Sequence, residues 1–135
     1  LDDLSPRAAK ALEKADILAC EDTRVTRKLL ALSGHQTAAK FISYHDHNGD
    51  AMRPKLLDAI ADGSFVALVS DAGTPLISDP GFKLVAAAHE LGLYVTAVPG
   101  PSAVLAGLVC AGLPSNRFLF AKLANILSKF GLVLI

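Results

Sequence analysis

The sequence is short of several things, and each shortage removes a class of function. Only two cysteines, Cys20 and Cys110, occur in 135 residues. Both fall in apolar stretches, so the expectation is two reduced, buried thiols of a cytosolic protein, not a disulfide framework. An excess of charge is lacking as well: 13 basic residues balance 13 acidic ones, and charged residues make up only 19%. A wholesale electrostatic nucleic-acid binder would carry a basic surplus, so that class is not indicated. One local basic segment does occur, at Arg24, Arg27 and Lys28. No apolar run reaches the roughly 18–20 residues that a membrane span needs. The opening Leu1-Asp2-Asp3 is not expected to be a secretory signal. Missing too are Gly-x-Gly-x-x-Gly, a phosphate loop ending in Gly-Lys-Ser/Thr, and a Gly-x-Ser-x-Gly elbow. The common dinucleotide, ATP and serine-hydrolase readings lose ground accordingly.

What is present is apolar. Hydrophobic residues make up 52% and the mean hydropathy is +0.42, enough for one domain with a real core and far from the composition of a disordered chain. Part of this apolar content is expected to belong to a partner-facing surface or an absent half.

Helical and strand periodicities alternate along the chain. Ser5-Pro6 reads as N-cap and first helical position, followed by Ala8, Ala11, Leu12 and Ala15 at helical spacing. Ile17-Leu18-Ala19-Cys20 reads as a strand, and Glu21-Asp22-Thr23-Arg24 enters a helix ending at Gly34. A strand at residues 41–44 leads into the polar loop 45–50, then a helix over about 51–62 closing on Gly63. The apolar run 65–69 reads as a buried strand. A helix over about 82–91, a strand over 93–98, a turn at 99–102, a helix closing on Gly112 and a strand at 118–120 complete the pattern. Repeated strand–helix alternation predicts an α/β fold with a mainly parallel sheet covered by helices. Its polar loops, residues 21–24, 45–50, 70–81 and 99–102, should converge on the rim at the strands' carboxyl ends, where ligands bind in open α/β sheets.

Residues 70–81 are the most informative of these loops. A plain connection needs about 2–6 residues; this one is longer and carries two aspartates, two glycines and two prolines. Such punctuation presents main-chain groups in a fixed shape. Pro99-Gly100-Pro101-Ser102-Ala103 places Ser102 at a helix N-cap, either as a tight turn or as a site where a ligand approaches backbone N–H groups. Glu21-Asp22-Thr23-Arg24 reads as a cap through Asp22 or Thr23, or as a substrate-facing cluster in which Arg24 and Arg27 contact phosphates. His45-Asp46-His47 invites zinc, but two further ligands at sensible spacing are not evident; a solvated loop, a general base or an RNA contact are the other readings.

Taken together and in order, Leu4-Ser5-Pro6-Arg7-Ala8, Glu21-Asp22-Thr23-Arg24 with Thr26 and Leu29-Leu30, His45-Asp46-His47-Asn48, residues 69–81, Pro99-Gly100-Pro101-Ser102-Ala103 and Ala111-Gly112-Leu113-Pro114 resemble the bacterial 16S rRNA (cytidine-2′-O)-methyltransferases of the tetrapyrrole-methylase-like class III methyltransferases. The resemblance covers about residues 1–121. It implies the N-terminal domain of a two-domain α/β enzyme, its first strand missing, with S-adenosylmethionine in the interdomain cleft. It also implies methyl transfer to a cytidine ribose in the decoding region of 16S rRNA in the small ribosomal subunit, a cytoplasmic homodimer, and neither metal nor membrane.

The implied cofactor contacts are Asp71, Ala72, Gly73, Thr74, Pro75, Ile77, Ser102 and Ala103, with Leu113 and Pro114 near the adenine. For the proton on the 2′-hydroxyl, the candidates on the expected rim are Asp22, Glu21, His45, Asp46 and His47, with Asp22 and His47 foremost. Residues 122–135 do not match; Gly131-Leu132-Val133-Leu134-Ile135 resembles a strand from late in the second domain. With one cofactor wall and the rest of the second domain absent, this fragment alone is expected to be inactive. Two alternatives accompany this reading: the same fold acting on a tetrapyrrole or a protein side chain, and a non-catalytic RNA-binding module.

Overall fold

A computed structural model describes residues 2–71, 73, 75–76, 81–112, 117–118 and 131–134. Helix α1 (Pro6–Lys14) starts where the sequence places it: Ser5 Oγ accepts the backbone N–H of Ala8 at 3.1 Å, and Pro6 takes the first helical position. Strand β1 (Ile17–Cys20) leads into α2 (Thr23–Ser33), which ends at Gly34 in the left-handed conformation, φ 73°. Then follow β2 (Lys40–Ser43), α3 (Gly49–Ala61), β3 (Val66–Ser70), α4 (Phe82–Glu90), β4 (Thr96–Ala97), α5 (Ala103–Cys110) and β5 (Gly131–Leu134).

The sheet order is β2-β1-β3-β5-β4. β1 pairs parallel with β2 and β3, while β5 pairs antiparallel with β3 and β4. Four strands therefore share a direction and β5 alone opposes them. Gly131–Leu134, likened above to a second-domain strand, here pairs inside this sheet.

Alternation along β1 and β3 separates two cores, because successive side chains of a strand point to opposite faces. Leu18, Cys20, Ala67 and Val69 face α1 and α2, packing with Ala8, Ala11, Leu12 and Leu30. Ala19, Val66 and Leu68 face α3 and α4, packing with Leu56, Leu57, Leu84 and Ala88. All five residues of β3 are buried, as a strand covered on both faces requires.

Two sequence expectations are corrected. The strand expected over 93–98 is confined to Thr96–Ala97, because only these two residues find register with β5; Tyr94 is left 79% exposed. Cys110, expected to be buried, is exposed, because α5 buries none of its residues against the sheet; Cys20 is buried as expected. In the strand expected at 118–120, Phe118 is irregular and the other two residues lie outside the described set. Among the described residues no helix is long and apolar enough to cross a membrane.

Candidate active site

Chain direction makes a crevice between β1 and β3. From β1 the chain leaves through α2 on one face towards β2; from β3 it leaves through α4 on the other face towards β4. Neighbouring parallel strands whose exits diverge leave a crevice at their carboxyl ends, the topological switch point where ligands bind in such sheets.

Side chains from both exits close over this point. The backbone N–H of Asp71 donates to Glu21 Oε2 at 3.2 Å, and the backbone N–H of Asp22 donates to Asp71 Oδ1 at 3.1 Å. The two strand ends are thus clasped by reciprocal carboxylate–backbone bonds. Burial pushes the Asp71 carboxyl above its ordinary value; the Asp22 N–H opposes the rise, and the nearby Glu21 carboxylate adds to it.

Asp22 is the N-cap of α2. Its Oδ1 accepts the backbone N–H of Arg24 at 2.8 Å, and the Arg24 guanidinium closes on the same carboxylate, Nη2 to Oδ2 at 2.6 Å and Nε to Oδ1 at 3.0 Å. The Arg24 side chain, followed by its backbone N–H, holds the Asp22 carboxyl down at about 2. A carboxylate so engaged is a weak proton acceptor. The raised Asp71, by contrast, has its second oxygen without a hydrogen-bond partner among the described residues. Arg27 stacks on Phe41, its guanidinium carbon 3.8 Å from the ring centroid.

The loop after β2 is shaped by Asn48, which accepts the His45 N–H through Oδ1 at 2.9 Å and donates Nδ2–H to the Ser43 carbonyl at 2.8 Å. His45 and His47 stand edge to face, ring centroids 5.9 Å apart. Among the described residues no group of three His, Cys, Asp or Glu side chains is arranged to hold a metal.

Backbone conformation in the loop after β3 is unusual. Leu76 has φ 75° and Gly73 φ 68°. A leucine in that region is strained, and such strain concentrates at ligand-holding sites. Ser102 caps α5, accepting the Leu105 N–H at 3.4 Å. Ala103 opens that helix, and Pro75 is fully buried. Ala72, Thr74, Ile77, Leu113 and Pro114 lie outside the described residues.

Sequence reasoning missed two features. One is the clasp itself, whose partners lie 49 and 50 residues apart. The other is a cleft of about 150 Å³ where α3 and α4 begin, lined by Tyr44, His45, Asp50, Arg53, Phe82 and Lys83 among others.

With this geometry in hand, comparison with known proteins is decisive for the family. A profile of the tetrapyrrole (corrin/porphyrin) methylases matches residues 1–124. The chain belongs to the tetrapyrrole methylase family. Within this family, it is 52% identical over 121 residues to a Mesorhizobium japonicum protein called ribosomal RNA small subunit methyltransferase I, covering 90% of this chain and 40% of the relative. A Xylella fastidiosa protein of the same name is 52% identical over 120 residues, covering 89% of this chain and 43% of the relative. One from Halalkalibacterium halodurans is 45% identical over 120 residues, with 89% and 41% covered. The chain thus spans about two fifths of the length of these curated relatives.

Proposed function

We propose that this chain is the cofactor-holding half of an S-adenosylmethionine-dependent methyltransferase that methylates the ribose 2′-oxygen of a cytidine in 16S rRNA. The observation that carries the reading is the 52% identity to proteins named as ribosomal RNA small subunit methyltransferases, extending through both clasped strand ends.

The residues at the switch point suit the cofactor. Its methionine part is zwitterionic and its adenine has flat stacking faces and a hydrogen-bonding edge, a combination matched by fixed main-chain donors and acceptors with apolar packing. Gly73, the strained Leu76 and buried Pro75 supply such a surface after β3, and Ser102 with Ala103 supplies a helix start after β4. When bound, the cofactor supplies an electrophilic methyl group. This chain's residues would hold the acceptor oxygen about 3–3.5 Å from it and draw off the hydroxyl proton. Asp22 and His47 are the sequence candidates for the proton; the clamped state of Asp22 favours His47 or Asp71. Arg24 and Arg27 are exposed residues whose guanidinium groups, now on Asp22 and over Phe41, would take RNA phosphates. Acting on ribosomal subunits, the protein would work in the cytoplasm, as a homodimer.

Calorimetric titration of S-adenosylmethionine into the intact protein tests this. The reading requires saturable binding that weakens when Asp71 is replaced by Ala; absence of binding to the intact protein overturns it.

A further inference from the structure

The cleft at the start of α3 and α4 lies outside the clasp and is lined in part by His45 and Asp46 of the loop after β2. Four features meet there. First, the two helices lie against the same face of the sheet and both begin at its carboxyl rim, so two positive dipole ends converge. Second, Arg53 from α3 and Lys83 from α4 both reach the carboxylate of Asp50, the lysine at 3.5 Å. Third, Phe82 stands beside them with 68% of its surface exposed. Fourth, Phe82 follows Gly81, whose φ is 125° and where a Cβ would lie 2.6 Å from Leu68 Cδ2.

A lone exposed phenylalanine is ordinary. This one forms a wall of a cleft that also holds two cations and two helix starts. Base stacking on an aromatic ring next to a phosphate-seeking cation is the chemistry of single-stranded nucleic-acid contacts. Asp46 and Asp50 also line the cleft, balancing the formal charge of Arg53 and Lys83. Asp50 bonds to both cations and is 80% exposed; its carboxylate occupies the position an incoming phosphate oxygen would take. Tyr44, 2% exposed, lies next to Arg53.

We propose that this cleft binds one unpaired nucleotide of the RNA substrate, its base stacked on Phe82 and its phosphate taken by Lys83 and Arg53 in exchange for Asp50. The inference rests on the RNA substrate proposed above and adds a second contact on the same rim.

The test is binding of a short fluorophore-labelled single-stranded RNA to the intact protein, with calorimetric S-adenosylmethionine affinity as the control. Phe82→Ala should weaken RNA binding roughly tenfold while Phe82→Trp retains it. Lys83→Ala should weaken binding and reduce the slope of log affinity on log salt by about 0.7. Asp50→Asn, which removes the competing carboxylate, should tighten it. Phe82 and Lys83 are exposed, so neither substitution disturbs the core. If the wild type binds RNA and Phe82→Ala, Lys83→Ala and Asp50→Asn all match it, the cleft proposal falls and the methyltransferase reading stands. If the wild type binds S-adenosylmethionine but no RNA, the RNA reading falls and the cleft proposal with it.

Discussion

The carboxylate of Glu21 accepts the backbone N–H of Asp71, joining the ends of two adjacent strands at 3.2 Å. With the return bond from Asp22 N–H to Asp71, the turn after β1 is tied to Asp71, the first residue beyond β3. Asp71→Ala should therefore destabilise the fold by about 1 kcal/mol through loss of the acceptor for the Asp22 N–H. Asp71→Asn keeps a carbonyl oxygen in place and should recover most of that loss. Denaturant midpoints of the two variants check this; equal losses would show that the charge, not the hydrogen bond, matters.

The two aspartates of this clasp should respond to pH in opposite senses. Asp22 is held at about 2, below its ordinary 3.8, so its stabilisation is present above pH ~4 and is lost as pH falls through about 2. The stability gap between wild type and Asp22→Asn should narrow over that window. Asp71 is raised above its ordinary value, so its contribution is greatest below that value and is lost as pH rises through the folded pKa. In Asp71→Asn this decline should disappear. Urea midpoints measured across the acid range read both slopes.

Much of the fold is written in local patterns, and the exceptions have physical causes. Ser5-Pro6 and the buried run of β3 are legible because capping and burial leave marks on adjacent residues. The extent of β4 was not legible: Leu93 and Val95 are apolar because they pack as side chains against the core on the α3/α4 side, without strand pairing. Cys110 misled because α5 is apolar throughout yet has none of its residues buried. At the site, residues 70–81 stood out through their punctuation, but the clasp did not. A side chain bonded to the backbone of a distant strand leaves no period in the sequence. The cleft is similar, since Arg53 and Lys83 meet only through the packing of α3 on α4 and their common partner Asp50.

The thiols should differ in reactivity. Burial pushes Cys20 up to about 11, leaving little thiolate at neutral pH. Iodoacetamide should label the exposed Cys110 in the native protein and Cys20 only on unfolding, as peptide mass spectrometry would show. Rapid native labelling of Cys20 would contradict its place in the core.

Gly81→Ala should be poorly tolerated, because φ 125° disfavours any side chain and the new methyl would meet Leu68. A loss of about 1–3 kcal/mol is expected, read as a lowered thermal midpoint, with a displaced Phe82 as the local consequence. A variant of wild-type stability would refute the close approach of α4 to β3.

Methyl transfer to RNA is proposed to take place at the clasped strand ends. Incubating the intact protein with methyl-labelled S-adenosylmethionine and small ribosomal subunits, then mapping the label, tests it most directly. The expected result is label on a cytidine ribose of 16S rRNA, reduced strongly by Asp71→Ala. Label appearing on a corrin precursor and never on RNA, or on neither substrate, would contradict it.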